Sequence, residues 1–331
     1  MSVPLLRKAK STPGPGRPAR NPESAAAPAV RLVEVDEAHD GQRLDNFLLR
    51  LCKGVPKSHL YKAIRGGEVR VNRGRVPVDH RIVAGDVVRV PPFRLPEAPV
   101  RFVPPSKFPI VFEDDAVLAI DKPAGVAVHG GSGVDFGVIE QLRRARPEAR
   151  FLELVHRLDR DTSGLLLVAK KRSALVGLHE SLRNGLWNKH YLVLVAGDWV
   201  NDRQHVRKPL TKWSTQSGER RVKVDPDGQP AHTIFTLKRR YGLYSLLDAE
   251  LKTGRTHQIR VHVTSCGFPI VGDDKYGDDH ANAAAAGRGF RRMFLHAHTL
   301  AIPHPLTGES LALEAHLPED CVKFLQQLEH P

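Results

Sequence analysis

Cysteine is scarce in this chain of 331 residues, with only Cys52, Cys266 and Cys321, far apart and odd in number. They offer neither a disulfide framework nor the paired spacing of a zinc site, so a reducing, cytoplasmic compartment is expected. Long apolar runs are missing too. No stretch approaches the roughly 18 residues that span a bilayer, and Met1 to Lys10 is basic without the apolar segment of a signal peptide, so no membrane role is expected. Acid is the third shortage: Lys and Arg number 50 against 37 Asp and Glu, a formal net charge of +13. Because 41% hydrophobic and 26% charged residues make an ordinary globular balance, the excess of base points to a polyanionic partner.

The length favours two domains. Residues 1–30 carry Pro4, Pro13, Pro15, Pro18, Pro22 and Pro28 with five basic residues and the single acid Glu23, the composition of a disordered basic tail. An organellar transit peptide would share the charge, but these prolines oppose the amphipathic helix it needs. From Arg31 a compact unit is expected. Leu44, Phe47, Leu48 and Leu51 recur at helical spacing within Gln42 to Cys52, and Ser58 is positioned to cap a second helix through Ile64 that stops at Gly66-Gly67. Val69-Arg70-Val71-Asn72 and Val87-Val88-Arg89-Val90, flanked by Gly74 and Gly85-Asp86, read as strands.

Between Arg50 and Arg75, the residues Arg50, Lys53, Lys57, Lys62, Arg65, Arg70, Arg73 and Arg75 meet only Glu68 as counter-charge. This is either a phosphate-binding face or a plain solvated basic surface. The segments Gly41-Gln42-Arg43-Leu44-Asp45, Val55-Pro56-Lys57-Ser58 and Gly67-Glu68-Val69-Arg70-Val71-Asn72 resemble the S4 RNA-binding domain over about Arg31 to Arg94. That resemblance implies RNA contacts from Arg43, Lys57, Ser58, Arg65 and Arg70. Pro91, Pro92, Pro96, Pro99, Pro104, Pro105 and Pro109 then mark a semi-rigid linker. The expected division is a tail at 1–30, an S4-like α+β domain at 31–95, a linker at 96–109 and a catalytic domain at 110–331.

Beyond Val111, short apolar runs alternate with turn signals and a few helical stretches. The runs are Ala116 to Ile120, Phe151 to Val155, Gly164 to Ala169, Tyr191 to Val195 and Ile259 to Val263, and they predict an α+β domain around a mixed, largely antiparallel sheet. Between two of them lies His156-Arg157-Leu158-Asp159-Arg160-Asp161-Thr162-Ser163-Gly164. Charges packed at a strand end are costly unless paired or used, although Asx turns and a tight Ser-Gly turn would leave the same letters.

This loop resembles the signature of the RluA-type pseudouridine synthase family: His-Arg-Leu-Asp, two residues, then Thr-Ser-Gly. The likeness continues through Asp121-Lys122-Pro123-Ala124-Gly125, Lys189-His190-Tyr191, Gly254-Arg255-Thr256-His257-Gln258-Ile259-Arg260-Val261-His262, Gly272-Asp273-Asp274-Lys275-Tyr276-Gly277, Leu295-His296-Ala297 and His304-Pro305-Leu306-Thr307-Gly308. Within the family, Gly54-Val55-Pro56-Lys57-Ser58, His129-Gly130-Gly131-Ser132-Gly133 and Phe151-Leu152-Glu153-Leu154-Val155 are similar to the synthase C type. The resemblance implies an isomerase that turns uridines of 23S (large-subunit) ribosomal RNA into pseudouridine, a step of RNA modification in ribosome biogenesis. It names Asp159, Tyr191 and Arg260 as catalytic. Arg157 is implied as the residue that fills the place of a flipped base, with Arg255 as an RNA contact.

The reaction breaks uracil N1 from ribose C1′ and joins C1′ to C5 of the same base. No atom is lost, so no cofactor is expected. Asp159 must be ionised whether it attacks C1′, attacks C6 or removes a ribose proton, and Arg260 beside it would oppose desolvation of the carboxylate. The flat ring of Tyr191 suits stacking on an extruded base. The partner is expected to be large-subunit RNA or its assembly particles, met by a monomer.

Weaker signals compete. His296, His298 and His304 lack a nearby acid or cysteine to complete a metal set. Gly131, Gly133 and Gly137 are spaced one residue too widely for a dinucleotide loop. A non-catalytic S4-type assembly factor would not need Asp159, Tyr191 and Arg260 together, and a hydrolase lacks its motifs.

Overall fold

The computed structural model describes residues 29–52, 54–93, 103–104, 107–130, 136–216 and 218–329. Nearly all of the expected tail, Lys53, the Gly131 to Gly133 loop and most of the 96–109 linker lie outside the described residues. The described chain groups into two compact units: residues 29–34, 43–80 and 86–93, and residues 35–42, 81–85 and those from 103 onward. Among the described residues no helix is long and apolar enough to cross a membrane.

The first unit contains β1 (Arg31–Glu34), α1 (Leu44–Leu51), α2 (Lys57–Arg65), β2 (Arg70–Val71) and β3 (Val87–Val90), with strand order β1-β3-β2, all antiparallel. Leu44, Phe47 and Leu48 of α1 and Leu60, Ala63 and Ile64 of α2 are buried with Val69, Val71, Val88 and Val90. The i, i+3, i+4 spacing thus supplies the core face. Ser58 does not cap α2. The helix begins two residues earlier than such a cap would place it, with Pro56 as N-cap and no side-chain cap bond, because the fixed φ of proline already sets the entry to the helix.

The second unit is built on β4 (Ile110–Glu113), β5 (Val117–Lys122), β6 (Glu153–Leu154), β7 (Ser163–Ala169), β8 (Asn188–Ala196), β9 (Arg203–Val206), β10 (Leu210–Ser214), β11 (Arg220–Val224), β12 (Thr233–Arg240), β13 (Tyr244–Leu251), β14 (Leu295–Pro303) and β15 (Ser310–Glu314). Its helices are α3 (Val138–Ala145), α4 (Arg172–Arg183), α5 (Gln258–Thr264), α6 (Asp279–Gly287) and α7 (Glu319–Glu329). The main sheet runs β4-β5-β7-β14-β8-β13-β12-β9, with β6 on β7 and β15 on β14, while β10 and β11 form a separate hairpin. Only β7 and β14 pair in parallel among the described strands, in keeping with the mixed, largely antiparallel α+β sheet expected.

All seven residues of β7 are buried. A strand covered on both faces loses polar alternation and becomes a continuous apolar run, which is why Gly164 to Ala169 was legible. The run Ile259 to Val263 deceives by the same physics. It reads as a strand but forms most of α5, whose Gln258 to Val263 are all buried. Full burial erases the polar face that would have betrayed a 3.6-residue period.

Candidate active site

The loop carrying Asp159 spans the gap from β6 to β7. Leu158 is buried and anchors it, Arg157 and Arg160 point outward, and Asp159 is left half-buried between them. Asp159 O accepts the Thr162 N–H at 3.2 Å, a tight turn that delivers the chain to Ser163. Gly164 follows at φ +105°, where an added Cβ would lie 2.2 Å from Ala297 O; only glycine permits β14 to approach here.

Tyr191 sits on β8 in register with Ala297 on one side and Ala249 on the other. These small neighbours leave its ring room, and its side chain lines a cavity of about 640 Å³, well within the size range of small-ligand sites. Burial, reinforced by the Asp159 charge, raises the pKa of the Tyr191 phenol, so it stays neutral.

Arg260 comes from α5. The chain enters this helix through His257, at φ +51° in the left-handed region. Gln258 locks the turn: its Oε1 accepts the Thr253 hydroxyl and the Arg255 N–H, and its Nε2 donates to His232 O and Thr233 Oγ1. Arg260 Nη1 then lies 3.3 Å from Asp159 Oδ2, with side-chain exposures of 3% and 18%. Its other nitrogens grip a fully buried acid, Nε to Asp273 Oδ2 at 2.7 Å and Nη2 to Asp273 Oδ1 at 2.6 Å, and Nη2 also reaches Asp274 Oδ1 at 3.3 Å. Asp273 Oδ1 further accepts the Lys275 and Tyr276 N–H groups. Burial pushes the Asp273 pKa up, but Arg260 and these backbone donors more than reverse it, leaving it lowered.

Lys122 is fully buried beneath the loop, and its ammonium donates to Pro123 O, Val126 O and Arg160 O at 2.8 to 2.9 Å. Burial draws its pKa down to about 7, against the pull of Asp161 and Asp159. His156 Nε2 accepts the Leu167 N–H at 3.1 Å, and burial lowers its pKa to about 4; it is a neutral structural ligand of the strand.

Of the residues singled out from the sequence, Asp159, Tyr191, Arg260, Arg157 and Arg255 line the same cavity. Arg255 is exposed, with Nε bonded to Pro230 O. Arg43, Lys57, Ser58, Arg65 and Arg70 belong to the first unit. There Lys57, Ser58 and Arg65 are exposed. Arg43 is held by the buried Asp45, with Nε and Nη2 at 3.1 and 3.0 Å from its two oxygens, and Arg70 donates to Gly67 O and Arg73 O. Sequence reasoning gave no role to Asp273, Lys122, His257 or Tyr276, although each lies inside a motif quoted for the family. In a single sequence nothing distinguishes the buried Asp273 from the exposed Asp274.

The histidines considered for metal are otherwise engaged: His296 with Ser163 Oγ and Ala315 O, His298 with the same Ala315 O, and His304 with Asp114. Among the described residues no three His, Cys, Asp or Glu side chains group to hold a metal ion.

Comparison with known proteins matches residues 116–265 to the RNA pseudouridylate synthase family model and residues 42–88 to the S4 domain. The ribosomal large subunit pseudouridine synthase C of Pasteurella multocida is 50% identical, covering 91% of this chain and 94% of its own. Its namesake in Escherichia coli K12 is also 50% identical, covering 91% of this chain and 97% of its own. Among solved structures, human RNA pseudouridylate synthase domain containing 4 superposes with a TM-score of 0.56 at 24% identity over 67% of this chain and 93% of that one, a likeness of fold. With half its residues identical to such relatives along nine-tenths of its length, the chain belongs to the RNA pseudouridylate synthase family, in the branch of the ribosomal large subunit pseudouridine synthase C proteins.

Proposed function

We propose that this chain isomerises selected uridines of 23S (large-subunit) ribosomal RNA to pseudouridine, with Asp159 as the catalytic carboxylate acting on a base turned out of the RNA stack. The observation that carries the reading is the Asp159 carboxylate held 3.3 Å from the buried Arg260 guanidinium, in a cavity that Tyr191 also lines. A carboxylate entering a dry site favours its neutral form unless a cation opposes this. Arg260 supplies that cation and, being buried among acids, does not lose its charge.

Whether the carboxylate attacks C1′, adds to C6 or removes a ribose proton, each route starts from the ionised form. Extruding the base costs roughly a few kcal/mol. Tyr191, a neutral ring at the cavity wall, recovers part of that by stacking on the uracil, and Arg157, exposed at the mouth, takes the vacated place in the helix. The atoms of the reaction balance without a cofactor.

In this reading residues 31–95 form an RNA-binding domain and 110–331 the catalytic domain, working as a monomer in the cytoplasm on free RNA or assembly particles. Lys57, Lys62 and Arg65, exposed on α2, are the phosphate contacts. A purely RNA-binding factor would leave the costly buried ion pairs around Arg260 without a purpose.

The test uses purified protein and unmodified large-subunit RNA tritiated at uracil C5, with no cofactor added. Wild type releases tritium as C5 gains its bond to C1′. Asp159→Asn, nearly isosteric, binds the RNA but releases none above background. Release at the wild-type rate from the Asn variant would remove Asp159 from the mechanism.

A further inference from the structure

Tyr276, in the loop that carries Asp273, has a hydroxyl with two partners. It accepts the Val222 backbone N–H at 2.8 Å, and it lies 2.8 Å from His257 Nδ1. A phenol has one proton to give. With Val222 on the accepting side, the described partner left for that proton is His257 Nδ1. Assigning that proton to the Tyr276–His257 hydrogen bond makes Nδ1 the acceptor and puts the imidazole proton on Nε2. Burial lowers the pKa of the ring; Asp159 and Asp273 oppose this while Arg260 and Lys275 reinforce it, so the ring is neutral at neutral pH. His257 lines the cavity, and its Nε2 lies 3.9 Å from Asp159 Oδ2, beyond hydrogen-bond reach. Among the described residues Nε2 has no hydrogen-bond partner. The site thus holds a fixed, neutral N–H donor beside the carboxylate, on a residue whose backbone also caps α5 by accepting the Val261 N–H.

We propose that His257 is a further catalytic residue, a neutral donor that binds a uracil carbonyl oxygen as negative charge develops on the base. The inference rests on the reading given under Proposed function, but not on any one of its three routes. When N1 parts from C1′, the bonding pair stays on the base and spreads over O2 and O4. If Asp159 adds to C6 instead, the displaced pair moves through C5 and C4 to O4. In each case a carbonyl oxygen gains charge, and no bond to His257 forms or breaks, because Nε2 keeps its proton. A neutral ring suits the task better than an imidazolium, which would pair with Asp159 and compete with Arg260. A preorganised donor in a water-poor site is worth about 10²–10³ in rate.

Two substitutions separate this from a structural role. In His257→Gln the amide nitrogen reaches the position of Nε2, whereas in His257→Asn it reaches only that of Nδ1, keeping a polar group beside Tyr276. Asparagine also tolerates the left-handed backbone at this position. Single-turnover tritium release is expected within about tenfold of wild type for His257→Gln and slower by about 10²–10³ for His257→Asn, with RNA affinity unchanged in both. A second measurement needs no well-folded Gln variant. RNA carrying 2-thio- or 4-thiouridine at the target presents a poor acceptor, so wild type slows at one of these positions while His257→Asn slows no further there. Equal rates for His257→Asn and wild type, or equal thio effects in both, would overturn the proposal. If wild type itself releases no tritium, the functional reading fails; if wild type is active and His257→Asn matches it, only this inference does.

Discussion

Asp273→Asn removes one charge from the most deeply buried ion pair of the site while nearly keeping its shape. The Asp273 carboxylate is fully buried, and two of its contacts to Arg260, at 2.7 and 2.6 Å, are charge-assisted. Stripping one partner from a buried pair costs about 3–5 kcal/mol, because the other charge is left uncompensated. Here Arg260 keeps Asp159 and Asp274, each at 3.3 Å, and the Asn oxygen still accepts the backbone N–H groups of Lys275 and Tyr276. The cost therefore falls at the low end, about 3 kcal/mol. For a domain of roughly 150–250 residues this lowers the melting temperature by about 6–12 °C. The pH dependence carries a sign. The Asp273 pKa is lowered in the fold from an ordinary value of 3.8, so its contribution is fully present above that value and is lost as pH falls through the lower folded one. The gap between wild type and variant should stay constant from about pH 5 to 8 and close in acid below about pH 4. Calorimetric melts across that range provide the measurement. A variant melting within about 2 °C of wild type at pH 7, or a gap that widens in acid, would refute the argument.

Two further predictions concern RNA. Arg157→Ala should slow tritium release from structured large-subunit RNA far more than from an unstructured fragment, since only the former has a stack to refill; equal slowing on both would refute the wedge. Replacing Lys57, Lys62 and Arg65 together by alanine should weaken RNA binding and reduce the slope of log affinity against log salt by about 2 to 3, at roughly 0.7 to 0.9 per phosphate contact. An unchanged slope would mean that this face of α2 does not meet the backbone of the RNA.

The local sequence carried the elements whose neighbours do not change their pattern. Amphipathic α1 and α2 follow from periodicity, the strand Val87–Val90 from its β-branched run after a turn signal, and β7 from its unbroken apolar run. It failed at α5, where burial on every side removed the polar stripe, and at Ser58, where Pro56 had already set the helix entry. Asp159, Tyr191 and Arg260 were legible only through motif resemblance. Their surroundings were not, because Asp273 and Lys122 acquire meaning from burial. Asp45 escaped for the same reason: Arg43, expected to contact RNA, is clamped by this buried acid.

Strand order was the least accessible feature, and it is also what assembles the site. Asp159 hangs from the loop before β7, while Tyr191 lies on β8, the next strand of the sheet in sequence. In space β14, from more than a hundred residues later, is inserted between them. One row of residues crosses all of these strands: Gly164 of β7, Ala297 of β14, Tyr191 of β8 and Ala249 of β13. Three of the four are glycine or alanine, and the exception is the aromatic ring at the cavity. At Gly164 a single added carbon would meet the backbone of Ala297, and relief would come only by moving β14, which carries β8 and Tyr191 with it. The glycine that ends the Thr-Ser-Gly motif therefore performs no chemistry. It sets the spacing between the strand that delivers the carboxylate and the strand that delivers the ring, which explains why a residue without a side chain belongs to the motif.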